Sequence, residues 1–168
     1  MIKQVLKYGG MFIFLVLIQV LILNNIHLGH LITPFFYFLF ILLLPFETPR
    51  YLQLLLAFFL GLTIDMFTDT AGTHAFACVL AAYARPSILG LLASRDTYES
   101  GSLPRVSTLG QSWFFRYALL MVLIHHFALF YLEVFSFSGF FGTFLRALVS
   151  SFFTIILILL SQYVIYRD

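Results

Sequence analysis

Apolar residues fill almost the entire chain, and only one sizeable polar stretch, residues 94–112, interrupts them. Of the 168 residues, 62% are hydrophobic and 10% are charged, whereas about a quarter of the residues in an ordinary globular domain are charged. A water-soluble fold could not cover this much apolar surface, because its outside must face water. The solvent for most of the chain is therefore lipid, and we expect a single integral membrane domain over residues 1–168.

A helix needs about 20 mainly apolar residues to cross a bilayer. Six segments approach this length, so we predict an all-α, polytopic membrane bundle of about six transmembrane helices. Arg85-Pro86 interrupts the fourth segment, and we expect the helix to end early there. No cleavage pattern follows the first apolar run, which favours a retained span over a removed signal peptide. The six segments cover approximately residues 8–23, 31–46, 51–67, 74–92, 113–135 and 142–166.

The distribution of Lys and Arg predicts the orientation of these spans. With the N-terminus in the cytoplasm, only Arg146 among the assigned basic residues falls on the outer side, and Arg85 stays unassigned. The cytoplasmic side receives Lys3, Lys7, Arg50, Arg95, Arg105, Arg116 and Arg167. We therefore expect a multi-pass protein of the bacterial inner membrane, with both termini and the polar loop 94–112 in the cytoplasm.

The third span carries small and acidic residues at intervals of four, which place them on one helix face. Small residues on such a face let a neighbouring backbone approach closely. The fourth span repeats the spacing, so we expect the two helices to form a tight antiparallel hairpin that turns near Gly72. The predicted register pairs Asp65 with Ala77, Gly61 with Ala81, and Ala57 with Arg85. The stripe of Ala57 and Gly61 serves either this internal hairpin or the transmembrane helix of a partner.

Asp65 lies near the outer end of its span. We expect its carboxylate to accept hydrogen bonds near Thr73 and His74; a proton or cation site, or a contact with another subunit, are the alternatives. Arg85 lies within the membrane region, where a charge costs about 2.5–3.5 kcal/mol on insertion scales. Arg85 must therefore find a partner, a water-filled cavity or the membrane interface.

Glu133 and Arg146 flank the stretch FSFSGFFG almost symmetrically. Because this stretch joins the last two spans, the two side chains should lie at matching depth near the outer face. We predict a Glu133–Arg146 ion pair with a mainly structural role.

His125 and His126 lie in the middle of the fifth span. Neighbouring residues on a helix point about 100° apart, and zinc needs three or four ligands, which no nearby cysteine or carboxylate completes. We expect neutral, hydrogen-bonded imidazoles inside the bundle, with a proton relay as the alternative.

The sequence shows no pattern for catalysis, cofactor binding or metal binding. No His-Glu-x-x-His motif, phosphate-binding glycine loop or pair of apposed carboxylates occurs, so we expect neither an enzyme nor a bound cofactor. A net charge of +2 without a basic run gives no indication of nucleic-acid binding, and we expect no nucleic-acid partner. A membrane scaffold and a small-molecule carrier subunit both stay open, and the scattered positions of the polar residues favour the scaffold.

Two stretches carry a resemblance to a known family. They are TPFFYFLFILLLP at residues 33–45 and GLTIDMFTDTAGTHA at residues 61–75, in which Pro34, Gly61, Asp65 and Gly72 occupy the family's positions. The chain resembles the MreD family of bacterial rod shape-determining proteins over nearly its whole length. The later stretches RDTYESG, LIHHFALFYLEVFSF and LLSQYVIYR resemble the Bacteroidetes branch of that family.

The resemblance implies a function and partners. Family members bind the single-span protein MreC in the inner membrane and join an elongation complex with MreB, RodA and PBP2, which supports lateral peptidoglycan synthesis. Their fold is similar to that of the substrate-binding subunits of energy-coupling-factor vitamin transporters, which keeps a vitamin-binding or other small-molecule-binding subunit as the alternative function. No catalytic residue carries over from the family.

Overall fold

The computed structural model describes residues 2–26, 32–93, 103–135 and 139–165. Five helical segments in these ranges are long and apolar enough to cross a membrane, and the predicted all-α membrane bundle is confirmed. Arg95, Arg167 and residues 94–102 of the polar loop lie outside the described residues. The α-helices are α1 (Ile2–Leu21), α2 (Leu39–Leu42), α3 (Arg50–Thr68), α4 (Thr73–Leu92), α5 (Val106–Leu109), α6 (Gln111–Val134) and α7 (Phe140–Ile165).

The second predicted span, residues 31–46, does not form one long helix. Its described part is extended up to Phe35, then forms a 3-10 turn at Phe36–Phe38 and the single turn of α2. Proline interrupts a helix and disfavours helical geometry in the residue before it. Only ten residues lie between Pro34 and Pro45, and ten helical residues rise about 15 Å, half of a bilayer core of about 30 Å.

Residues 33–44, which we call the core segment, run through the interior of the bundle. Every side chain from Phe35 to Leu44 is at most 9% exposed. One end of the segment bonds to Gln19 in the last turn of α1, and the other end bonds to Arg85 towards the end of α4. The core segment therefore runs antiparallel to α1. Non-helical backbone at membrane depth is tolerated where protein buries it, and the long helices provide that cover.

The helices α3 and α4 form the predicted hairpin, and we call the end of the bundle that holds their turn the outer end. The helix α3 ends at Thr68, and the next residue, Asp69, has φ 52°. The helix α4 begins after Gly72, whose φ of 86° is a left-handed conformation that glycine adopts without strain. The predicted register is wrong by six residues, or about 1.7 helical turns, because Gly61 packs against Ala75 instead of Ala81. Asp65 bonds to the first turn of α4 and thereby draws that turn alongside α3.

The fourth predicted span is also more regular than expected. The helix α4 continues from Thr73 to Leu92 with Pro86 inside it, so the expectation that Pro86 ends the helix is wrong. Proline provides no N–H for the carbonyl four residues earlier, which here belongs to Ala82. The Nε2 group of Gln53, on α3, donates a hydrogen bond to that carbonyl. A side chain from the neighbouring helix thus replaces the missing backbone donor.

Candidate functional site

Polar side chains in the outer half of the bundle converge on the backbone of the core segment. The Gln19 amide accepts the N–H of Phe36 at 2.8 Å and donates to the Pro34 carbonyl at 3.1 Å. On α7, Thr154 Oγ1 accepts the N–H of Phe35 at 3.0 Å, and Ser150 Oγ accepts the N–H of Thr33 at 3.0 Å. The polar residues that looked scattered along the sequence therefore satisfy backbone groups that a helix would have paired itself.

Arg85 does the same at the inner end of the core segment, where it is 1% exposed. Its guanidinium donates to the Tyr117 hydroxyl at 2.7 Å, to Gln53 Oε1 at 3.0 Å and to the Leu44 carbonyl. The Tyr117 hydroxyl in turn donates to the Leu42 carbonyl at 3.2 Å. Among the described residues no carboxylate pairs with Arg85. We expected Arg85 to have a partner, a water-filled cavity or a place at the membrane interface. The structure shows the first of these, and the partners are neutral hydrogen-bond acceptors.

Asp65 caps the N-terminus of α4 from the neighbouring helix. Its two carboxylate oxygens accept the N–H of His74 at 3.0 Å and the N–H of Ala75 at 2.8 Å, and the Thr70 hydroxyl donates to the same group. The first N–H groups of a helix have no partner within it, and Gly72, at the N-cap of α4, has no side chain to offer. The carboxylate of Asp65 thus accepts hydrogen bonds close to Thr73 and His74, as the sequence predicts.

Replacing Asp65 with Asn should destabilise the protein. An amide keeps one acceptor oxygen and loses the charge, so one of the two N–H groups loses its partner, at a cost of about 1–2 kcal/mol. Reversible unfolding in mixed micelles measures the change. Asp69→Asn is the matched control, because Asp69 is exposed and asparagine tolerates its left-handed conformation. Equal losses for the two variants would contradict the capping role.

Ala57 and Gly61 lie within the α3–α4 contact. Ala57 is 0% exposed. A Cβ atom added to Gly61 would lie 2.5 Å from the His74 carbonyl oxygen and 2.6 Å from the Ala75 nitrogen. The stripe of Ala57 and Gly61 therefore packs within the internal hairpin, which was one of its two predicted roles. The described helix α4 occupies this face of α3, so the face is not open to the helix of a partner.

A chain of hydrogen bonds joins three buried histidines through Tyr37. The Tyr37 hydroxyl lies 2.8 Å from His74 Nδ1 and 2.9 Å from His125 Nε2. His126 Nδ1 lies 3.0 Å from the Val122 carbonyl, and His126 Nε2 lies 3.0 Å from Thr154 Oγ1. The described residues contain no group of three or more potential metal ligands. The two histidines on α6 are hydrogen-bonded inside the bundle, as the sequence predicts.

For neutral imidazoles, one assignment of tautomers is consistent with the fixed donors and acceptors in this chain. A carbonyl only accepts, so His126 carries its proton on Nδ1, and Thr154 donates to Nε2. His125 Nδ1 lies 3.4 Å from that protonated nitrogen, so His125 carries its own proton on Nε2 and donates to Tyr37. The Tyr37 hydroxyl then donates to His74 Nδ1, which leaves the proton of neutral His74 on Nε2.

An outer cavity of about 720 Å³ opens at the end of the bundle that holds the α3–α4 turn. It lies between the ends of α1, α3 and α6 and the beginnings of α4 and α7. Its lining is partly apolar, with Phe35, Phe67 and Leu129, and partly polar. The polar part comprises Asn24, Asn25, Thr33, Thr68, Thr70, Thr73, His74, Glu133 and Arg146.

The predicted Glu133–Arg146 ion pair lies in the wall of this cavity. Arg146 Nη1 is 3.4 Å from Glu133 Oε2, and the two side chains are 30% and 41% exposed. The Arg146 guanidinium also lies 4.5 Å from the centre of the Phe130 ring, a cation–π arrangement. The remaining candidate, Pro34, is buried in the core segment.

Reversing either charge of this pair alone should destabilise the protein slightly, and reversing both should restore part of the loss. An exposed ion pair is worth about 0.2–1 kcal/mol, so each of Glu133→Arg and Arg146→Glu should cost about that much. A double-mutant cycle on unfolding free energies measures the coupling. Independent, additive losses would show that the pair contributes nothing.

The fold and the site define an all-α bundle of the multi-pass membrane type whose buried polar side chains hold an irregular core segment. No protein-family model matches the chain, and neither a curated protein nor a solved structure matches it.

Proposed function

We propose that this chain is a non-catalytic inner-membrane scaffold of the machinery that elongates bacterial cells, where it binds an MreC-like single-span protein. One observation carries the proposal: the polar side chains at membrane depth bond to the chain's own backbone. Gln19, Asp65 and Arg85 each accept from or donate to main-chain groups. Side chains that act on a substrate must instead present free donors, acceptors or nucleophiles to it.

The resemblance to the MreD family supports the same conclusion. It rests on Pro34, Gly61, Asp65 and Gly72, which build the core segment and the α3–α4 hairpin. The residues that suggest the family are thus residues on which this fold depends. MreB-like, RodA-like and PBP2-like members of the elongation complex are the further proposed partners, direct or indirect.

A single-span partner needs an apolar helix face on which to pack within lipid. The helix α1 packs mainly against the core segment and α3, and it leaves Phe14, Leu17 and Leu21 more than 45% exposed. The helix α7 exposes Phe141, Phe152 and Val164 more than 60%. These faces meet lipid in the isolated protein, and they give a partner helix room without disturbing the core.

The proposed topology places both termini in the cytoplasm, with the core segment as a sixth crossing beside five helices. Reporters fused at the N-terminus and at Asp168, a position outside the described residues, should therefore show activity on the same, inner side. Opposite locations of the two reporters would contradict the crossing by the core segment.

Depletion of the protein in its native cells tests the scaffold function. Rod-shaped cells should become round, and labelled wall precursors should stop entering the lateral wall. Cells rescued with Gly90→Ala, which alters an open position on α4, should keep their shape. Unchanged shape and unchanged wall labelling after depletion would contradict the proposal.

The outer cavity favours a second candidate function. Cavities of about 300–1,000 Å³ with a few polar groups are typical of small-molecule sites, and the outer cavity falls within that range. The candidate is a ligand-binding subunit of a transporter, similar to those of the energy-coupling-factor type. Depletion would then reduce uptake of a small molecule and leave the cell shape unchanged.

A further inference from the structure

The outer cavity is too large to be a packing defect. Its volume of about 720 Å³ corresponds to roughly 24 water molecules at about 30 Å³ each. The cavity opens at the outer end of the bundle, so it is accessible to water and to ligands. Water or a ligand must therefore fill the cavity, and the chemistry of its wall restricts what that ligand is.

The charges on the described wall cancel. Among the described residues, Glu133 and Arg146 are the two charged ones that line the cavity, and they carry opposite signs. One contact joins them, between Arg146 Nη1 and Glu133 Oε2, so Arg146 Nη2 and Glu133 Oε1 have no partner among the described residues. A ligand with one charge would leave that charge uncompensated in a partly buried site. A ligand with both charges would meet a partner for each.

The uncharged groups of the wall also divide into acceptors and donors. The hydroxyl of Thr68 donates to the Ile64 carbonyl at 2.9 Å, and the hydroxyl of Thr70 donates to Asp65. Their hydrogens are thus engaged within the protein, and the two hydroxyl oxygens lie 3.0 Å from each other, so the pair faces a ligand with oxygen lone pairs. His74, whose Nδ1 accepts from Tyr37, has its proton on Nε2 as a donor. The Thr73 hydroxyl has no hydrogen-bond partner among the described residues.

We propose that the outer cavity binds a small zwitterion that carries a primary ammonium group and an anionic group. The ammonium group bonds to Glu133, with Thr68 and Thr70 as further acceptors, and the anionic group bonds to Arg146 and His74. The apolar part of the ligand packs against Phe35 and Leu129. A soluble amino-acid-like molecule and the head group of an ethanolamine phospholipid share this chemistry. The inference does not depend on the scaffold function, so either can fail alone.

Titration calorimetry on the full-length protein tests the proposal, in nanodiscs that contain phosphatidylglycerol and no ethanolamine lipid. The zwitterionic probes are leucine and glycerophosphoethanolamine, and the single-charge probes are ethanolamine and 4-methylpentanoate, which is leucine without its ammonium group. At least one zwitterion should bind at least tenfold more tightly than both single-charge probes. Binding of neither zwitterion, or equal binding of all probes, would overturn the proposal.

Variants show whether the cavity is the site of binding. The double variant Glu133→Gln/Arg146→Gln should bind the zwitterion at least tenfold more weakly while its thermal unfolding stays close to that of the parent protein. Thr73→Val, in the wall, should weaken binding several-fold, whereas Thr63→Val, on the exposed face of α3, should not. Parent-like affinity in the double variant would place the ligand elsewhere and refute the site.

Nanodiscs that contain phosphatidylethanolamine identify the natural source of the zwitterion. If the lipid head group occupies the cavity, the apparent affinity for the soluble probe should fall in these nanodiscs in proportion to the lipid content. An unchanged affinity identifies a soluble zwitterion as the ligand. Both results require the tenfold preference measured without the lipid.

Discussion

Gly61→Ala should destabilise the protein by about 3 kcal/mol, the upper end of the usual cost of overpacking a core. The new methyl group would overlap the backbone of His74 and Ala75, which cannot move aside as the end of a flexible side chain can. The helices α3 and α4 must then separate, and the carboxylate of Asp65 loses its hydrogen bonds to the first turn of α4. Gly61→Leu should prevent formation of the hairpin. Reversible unfolding in mixed micelles measures both effects.

Gly90→Ala is the matched control for this prediction. Gly90 lies on α4, the helix that Gly61 contacts, and a Cβ atom there would meet nothing within 4 Å. Because alanine is the better helix former, this variant should be more stable by about 0.5–1 kcal/mol. If both alanine variants changed stability equally, close packing at Gly61 would be refuted.

Arg85→Met should destabilise the protein by at least about 3 kcal/mol. Methionine has a similar length and keeps the apolar packing, but it donates no hydrogen bond. The Leu44 carbonyl, Gln53 Oε1 and the Tyr117 hydroxyl would each lose a donor in the bundle interior. A buried polar group left without its partner costs about 1–3 kcal/mol, so three such groups account for the loss.

Two further variants separate the bonds of Arg85 from its charge. Arg85→Lys keeps the charge but not the planar fork of donors, so its stability should lie between that of the parent protein and that of Arg85→Met. Arg116→Met changes an exposed arginine on α6, and its effect should stay within about 0.5 kcal/mol. A loss in Arg85→Met no greater than in Arg116→Met would show that the core segment does not need this anchor.

Five of the six predicted spans form helices long and apolar enough to cross a membrane, because each such helix satisfies its own backbone and needs only length and apolar side chains. The core segment has the same hydropathy but a different structure. Pro34 and Pro45 leave too few residues between them for a helix that spans the membrane. A window of average hydropathy records how apolar the residues are, and it does not record where their backbone hydrogen bonds go.

Some contacts of the candidate site could likewise be predicted from the sequence, and others could not. The Glu133–Arg146 pair and the carboxylate at the α3–α4 turn could be predicted because a hairpin brings residues close in sequence together. The support of the core segment could not, because Thr154 and Phe35 lie 119 positions apart and Tyr37 and His125 lie 88 apart. One signal was present: Tyr37 is the only residue with a polar side-chain group among residues 35–44, and a buried tyrosine hydroxyl usually has a partner.

The scaffold function is tested most directly by affinity purification of the tagged full-length protein from native membranes, with identification of the proteins that co-purify. We expect an MreC-like single-span protein, together with wall-synthesis enzymes of the elongation machinery, and we expect Gly61→Leu to lose them because its hairpin does not form. Gly90→Ala should retain them. Recovery of a transporter ATPase, without any wall-synthesis protein, would contradict the scaffold function and support the carrier.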